Sequence, residues 1–293
     1  MQFAPINASD LIPITGAYRH RVSPPLIAGY EGVGTVIAAP PAFSHLLGQR
    51  VLPLRCAGTW QRYVDCDPRI AVPVPPDIST TLAARAYINP LAALLMFKQW
   101  SPAGKRVLIT AGGSACALLL AQWARQMGAS SITAIHRAPQ HGARLQQLGI
   151  AALLETQREE IAAVAQQCDR VFDAVGGDIG QLIWQSLSVD AEFVAYGVLS
   201  GKPVRVNAPR PALHWFHVRH TLEGLAHQNW QQLFGELWPL LRASECGEVE
   251  IFPLENWRDA IQCYHQSGRD RKPLLQISCR VAMNGDLTTS CIF

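Results

Sequence analysis

Residues 105–137, KRVLITAGGSACALLLAQWARQMGASSITAIHR, constrain the fold more than any other stretch of the chain. Arg106 to Thr110 make a short apolar run of the kind a buried parallel strand shows, Gly112-Gly113 break it, and an apolar helix follows that ends at Gly128. A second run, Ile132 to Ile135, closes the pattern, so the spacing predicts a strand, turn, helix, strand unit. The helix of such a unit aims its unpaired N–H groups at the turn, where the positive end of its dipole favours a phosphate. Small residues recur at Ala111, Ser114 and Ala117, the intervals at which a dinucleotide fingerprint carries small residues, usually glycines. Ala111, Gly112, Gly113, Ser114, Ala115, Cys116 and Ala117 are therefore candidate cofactor contacts. They serve equally well as a buried crossover that binds nothing, and the motif alone does not choose.

Beyond the second strand stand His136 and Arg137, where an NAD-binding unit usually places an acid for the ribose 2′-hydroxyl. A guanidinium there suits a 2′-phosphate, which makes NADPH the expected cofactor and His136 and Arg137 its candidate readers. A solvated arginine at a strand end is the plainer alternative.

From residue 105 onward strands and helices alternate: 143–148 helical, 152–154 extended, 159–167 helical, 170–173 extended, 182–188 helical and 192–196 extended. That alternation implies a doubly wound parallel sheet whose ligand lies at the carboxyl ends of the strands, where Thr110, Arg137, Val175 and Gly197 fall. Residues 1–76 read differently. Glycines and prolines punctuate short β-rich segments at 33–38, 50–54 and 60–64, as in a small, partly open barrel. A helical stretch over 79–100 follows, which Asn89-Pro90 is expected to break in two. Helices over 230–242 and 254–266, and a closing strand from Pro273, complete the chain.

Composition excludes several classes. With 49% hydrophobic and 16% charged residues the chain is core-rich rather than disordered, and a net charge of +3 without a basic, aromatic-interleaved stripe gives nucleic acid no footprint. No apolar run is long enough for a membrane span, and no signal peptide is visible, so the expected compartment is the cytoplasm. Eight cysteines without a C-x-x-C pair argue against structural zinc and a disulfide framework.

The ordered set Pro5-Ile-Asn-Ala-Ser-Asp-Leu11, Gly29-Tyr-Glu-Gly-Val-Gly34, Gly58-Thr-Trp-Gln-Arg-Tyr63, Asn89-Pro90, the 111–117 turn, Phe172-Asp-Ala-Val-Gly-Gly177, Tyr196-Gly197 and Pro273-Leu-Leu-Gln-Ile277 resembles the medium-chain dehydrogenases/reductases. Within them it is similar to the zinc-free quinone oxidoreductases and 2-enoyl thioester reductases. The resemblance implies a Rossmann domain over 91–251, inserted into a β-rich GroES-like catalytic domain made of 1–90 and 252–293. It also implies that the chain starts inside the catalytic domain, without the family's first β segment, and that residues 283–293 run past its usual end. Ala115 and Ala117 take the place of glycines.

Zinc-dependent members carry a Cys near Ala8 and a His at Tyr30, beside the glutamate matched by Glu31, so no metal is expected. In the enoyl reductases a Gly-x-Tyr like the one ending at Tyr18 supplies a phenol to the substrate carbonyl, which makes Tyr18 the catalytic candidate by resemblance. Asn7, Trp60 and Asn89 become candidate substrate contacts, and Ser114, Arg137, Val175 and Gly197 candidate cofactor contacts. The activity implied is NADPH-dependent reduction of an activated C=C bond in an enoyl thioester or similar α,β-unsaturated carbonyl. Quinone or alkenal reduction, and a non-catalytic dinucleotide-binding protein, are the alternatives. The partners expected are a small-molecule substrate and a second copy in a homodimer.

Overall fold

The computed structural model describes residues 1–14, 16, 22–23, 25–206 and 211–277. β1 (Phe3–Pro5) leads into a single helical turn, α1 (Ala8–Leu11), and β2 (Gly34–Thr35), β3 (Arg50–Leu52) and β4 (Val72–Pro73) form a small antiparallel sheet. Residues 60–64, expected as a β segment, are bends and irregular chain instead. The backbone there is claimed by the 28–29 loop, with Thr59 N and Trp60 N both donating to Ala28 O at 3.0 Å.

Next come α2 (Thr80–Ala83) and α3 (Ile88–Gln99). The break expected at Asn89-Pro90 falls earlier, at 84–87, and both residues sit in the first turn of α3. A proline there gives up an N–H that has no intrahelical partner anyway.

The middle of the chain alternates as expected: β5 (Arg106–Ile109), α4 (Ala115–Gln126), β6 (Ser131–His136), α5 (Pro139–Gln147), β7 (Ala151–Leu154), α6 (Arg158–Gln167), β8 (Arg170–Asp173), α7 (Gly177–Ser186), β9 (Glu192–Ala195) and β10 (Ala212–Trp215). The strands make one parallel sheet in the order β10-β9-β8-β5-β6-β7. Successive residues of each strand face opposite layers. Val107, Ile109, Phe172 and Val194 pack with α3 and α4, whereas Leu108, Val171 and Phe193 pack with α6 and α7. The strand order reverses between β5 and β8, and in such sheets the crevice at the carboxyl ends of that pair is where ligands bind.

The chain continues through α8 (Val218–Thr221), α9 (His227–Arg242), β11 (Val249–Pro253), α10 (Trp257–His265) and β12 (Lys272–Gln276). β12 lies between β1, antiparallel, and β11, parallel, so the first and last parts of the chain share a sheet. The boundaries expected at 90/91 and 251/252 fall inside α3 and β11. α3 is buried from Pro90 to Phe97 and packs against both α4 and α9. Among the described residues no helix is long and apolar enough to cross a membrane.

Candidate active site

Two walls meet at the reversal point. The first is built from four separate pieces of chain around Glu31, which is 2% exposed. Its Oε1 accepts from Asn7 Nδ2 at 2.7 Å, and its Oε2 accepts from the backbone N–H groups of Tyr87 and Ile88 at 3.0 and 2.7 Å, where α3 begins. A carboxylate on the N-terminal N–H groups of a helix is a favourable pairing, and it anchors α3 to the loop after Gly29. Gly29 is needed beside it. Its φ is +96°, and a Cβ there would lie 2.3 Å from Trp60 Cδ1.

Asp10 completes the buried acid pair. Its Oδ2 accepts from Asn7 N at 2.7 Å, closing a capping box on α1, and its Oδ1 accepts from Tyr30 N at 2.9 Å. Burial, the largest influence, pushes the Asp10 carboxyl up to about 7, and Glu31 adds to the rise while the donors oppose it. Glu31 is raised too, by burial, against the pull of Lys272 and its donors. Lys272, at the start of β12, donates from Nζ to Asn7 Oδ1, and burial lowers its ammonium to about 8. Asn89 Nδ2 donates to the same Asn7 oxygen at 3.1 Å. Trp60 packs beside this group with Ile6, Leu11 and Leu275, and its enclosed Nε1 has no hydrogen-bond partner among the described residues.

The second wall is the strand-end row of the parallel sheet. After β5, Ala111 takes φ +54°, Gly112 N donates to Ile135 O at 2.7 Å, and Ser114 caps α4 by accepting from Ala117 N at 3.2 Å. A Cβ on Gly112 would touch Ala134 and Leu145, and one on Gly113 would lie 2.4 Å from the His141 ring, so this turn lies tight against β6 and α5. Thr110 Oγ1 donates to Asp173 Oδ1 at 2.6 Å and accepts from Ala174 N, while Val175 N and Gly176 N donate to Asp173. These bonds tie the ends of β5 and β8 together. Gly197 follows β9, and a Cβ there would lie 2.9 Å from Ala174 O.

The structure thus brings Asn7, Asn89 and Trp60 to one wall and 111–117, Val175 and Gly197 to the other. The walls touch where Cys116 Sγ lies 3.7 Å from Asn89 O. His136 and Arg137 part company: the imidazole is buried with Nδ1 against Ala138 O at 2.9 Å, and only Arg137 is exposed. Tyr18 lies outside the described residues, as do the last eleven residues, 283–293. Thr110 stands at a strand end as expected, whereas Asp10, Glu31, Lys272, Asp173 and His141 were not among the expected site residues. The acid at Glu31, inside a glycine-rich run, was the available signal. Lys272, more than two hundred residues away, carried none. Among the described residues no group of three His, Cys, Asp or Glu side chains is placed to hold a metal.

Residues 1–76 match the family model of the alcohol dehydrogenase GroES-like domain, and residues 115–238 match that of the zinc-binding dehydrogenases. The mitochondrial enoyl-[acyl-carrier-protein] reductase of Arabidopsis thaliana is 31% identical over 93% of this chain and 78% of its own length. A solved structure assigned as an NADPH:quinone reductase, from Bacillus thuringiensis, is 32% identical with a TM-score of 0.86, covering 95% of this chain and 89% of that one. A complex of Etr1p with NADP and crotonyl-CoA shares the fold at 20% identity and a TM-score of 0.78, over 94% and 89% of the two chains.

Proposed function

The chain belongs to the zinc-free branch of the medium-chain dehydrogenase/reductase superfamily, a branch of oxidoreductases, and on that premise we propose that it is an NADPH-dependent reductase of an activated carbon–carbon double bond. The substrate class favoured is an enoyl thioester, such as the crotonyl-CoA bound by Etr1p. The observation that carries the reading is the contact of the two walls at Cys116 and Asn89, which sets the start of α4 beside a carboxamide pair.

The residues fit the cofactor. The N-terminus of α4 and the crowded Gly112-Gly113 turn offer N–H groups and close backbone approach for a pyrophosphate. Exposed Arg137 offers a charge for the 2′-phosphate. NADPH supplies the hydride when bound. On the substrate side, Tyr18 donates its phenol proton in a hydrogen bond to the thioester carbonyl and stabilises the enolate oxygen that develops as the β-carbon is reduced. Trp60 shields the acyl group from water, and Asn89 orients its polar end. Ala8 and Tyr30 supply no zinc ligands, so the carbonyl is polarised by hydrogen bonds alone. The exposed edge of β10, with Trp215 57% exposed, is the face proposed for pairing with a second copy.

NADPH oxidation by purified protein against crotonyl-CoA, a short alkenal and a quinone tests the reading. Turnover of the thioester with the highest kcat/KM is expected. A preference for the quinone selects the alternative reductase, which an unparticular pocket would favour, and NADPH binding without turnover on any of the three removes the enzyme reading.

A further inference from the structure

Asn7 is gripped at both ends of its carboxamide: Nδ2 by the Glu31 carboxylate, Oδ1 by the Lys272 ammonium and Asn89 Nδ2. A carboxamide held between an anion and a cation has one satisfied flip, because the other would set its carbonyl against the carboxylate and its NH2 against the ammonium. Asn89 is fixed in turn. Its NH2 must face the Asn7 carbonyl, and its own Oδ1 is left without a partner among the described residues. Asn89 and Lys272 line a cavity of about 20 Å³ with Arg85, Cys246 and Ala115, the first residue of α4. Among the described residues the Arg85 guanidinium donates to the backbone carbonyls of Cys246 and Gly247, and its enclosed Nε finds no partner. Both cations at this junction therefore face polar oxygen, and Asn89 Oδ1 is an acceptor that neither of them takes up.

We propose that Lys272 is a positioning residue that holds the Asn7–Asn89 pair in the single flip that offers the Asn89 carbonyl oxygen to a hydrogen-bond donor in the cleft. The group received there is an N–H or O–H of cofactor or substrate, and never a carbonyl. The role in turnover rests on the reductase reading; the lock itself does not. Lys272 is faced by Glu31 and Asp10, which favour its ammonium, and by Arg269 and Arg85, which oppose it, while burial lowers it to about 8. Once neutral, its nitrogen can accept as well as donate, and Glu31 alone is left to set the flip of Asn7.

The test uses wild type, Lys272→Arg, which keeps the charge at every accessible pH, and Lys272→Met. Side-chain amide resonances of Asn7 and Asn89, assigned by Asn89→Ala, are followed with pH, and kcat on crotonyl-CoA is measured over the same range. In wild type both amide pairs should move with a midpoint near pH 8, and kcat should fall above it by up to about tenfold per pH unit. Lys272→Arg should abolish both changes, with the neutral-pH rate kept to within about tenfold. Lys272→Met, if folded, should show at pH 7 the amide shifts of high-pH wild type and a loss in kcat larger than any change in the NADPH dissociation constant. Amide pairs that do not respond to pH, or a fall in kcat that persists unshifted in Lys272→Arg, would overturn the proposal. Responsive amides in a wild type that reduces no alkene would leave the lock standing and defeat the reductase reading instead.

Discussion

The two walls of the cleft are stabilised by opposite means. The parallel sheet is an apolar object: Leu108, Ile109, Val171, Phe172, Phe193 and Val194 are essentially unexposed, and its strands alternate between two helical layers. The opposite wall has short strands and little ladder, and what joins its pieces is a set of titratable groups, buried Asp10 and Glu31 and half-buried Lys272, bridged by Asn7. Burying charge is unfavourable unless every member is paired, so the second wall is specific and vulnerable where the first is robust. That is a sensible division for a cleft. The side that needs only backbone approach to a cofactor can be built from packing, whereas the side that orients a substrate needs polar groups held at fixed angles.

The sharpest way to break the comparison is Glu31→Ala. It strips two helix N–H groups of their acceptor and removes the charge that most favours the Lys272 ammonium. The expected loss in unfolding free energy is about 3–5 kcal/mol, and adding Lys272→Met should return roughly 1–3 kcal/mol of it, because the unpaired charge is then gone. Denaturant unfolding of the two single variants and the double variant reads both quantities. Strict additivity would mean that the charges are not coupled.

Phe172→Ala probes the other wall. Phe172 is unexposed and meets Phe97 edge to face, with ring centroids 5.2 Å apart. Truncation should cost about 3–5 kcal/mol through lost burial and a cavity. Here the loss should be the same at low and high salt, with no charge change able to rescue it. A salt-dependent loss would undo the contrast between the walls.

That contrast also decides what the sequence reveals. Strand alternation and the 111–117 turn are local signals, and the parallel sheet, its strand ends and the cleft position followed from them. β10 was the exception: Ala212-Leu-His-Trp215 lacks an apolar run, because an edge strand is covered on one side only. On the polar wall, Asn7, Trp60 and Asn89 came through family resemblance, and the structure sets them together. The Glu31–Asn7–Lys272 bridge joins positions far apart in the chain, and nothing local to Glu31 or Lys272 foretells it. His136 shows the same limit at close range. Its neighbour Arg137 is exposed, yet the imidazole turns inward because Gly142 leaves room for it, with a Cβ there 3.0 Å from the ring.

Smaller effects sharpen the cofactor side. If Arg137 reads the 2′-phosphate, Arg137→Ala should weaken NADPH binding by about 1.5–3 kcal/mol, the value of a charge-assisted contact, and leave NADH nearly unchanged. Fluorescence titration with both nucleotides decides it, since equal losses would make Arg137 a solvated strand-end residue.

The smallest effect expected is at Tyr196, where the apolar wall carries one polar exception. Its phenol oxygen is enclosed beside the Ser114 hydroxyl and the Cys116 thiol, makes no hydrogen bond of good geometry among the described residues, and burial raises its pKa well above the usual tyrosine value. It is thus a permanent, neutral donor at the start of α4, beside the thiol that touches Asn89. An unsatisfied buried hydroxyl costs its desolvation, so Tyr196→Phe, which keeps the ring and deletes the oxygen, should leave the free protein as stable as wild type or more stable by about 1 kcal/mol. With NADPH bound the sign should reverse. If the hydroxyl completes its hydrogen bond on the cofactor, the variant should gain less thermal stabilisation from NADPH than wild type does, as mass action requires for a weaker ligand. Unfolding curves with and without NADPH measure both. A free variant that is less stable than wild type would show that the hydroxyl is already partnered within the protein, and Tyr196 would then belong with the charged wall as a group held by its neighbours.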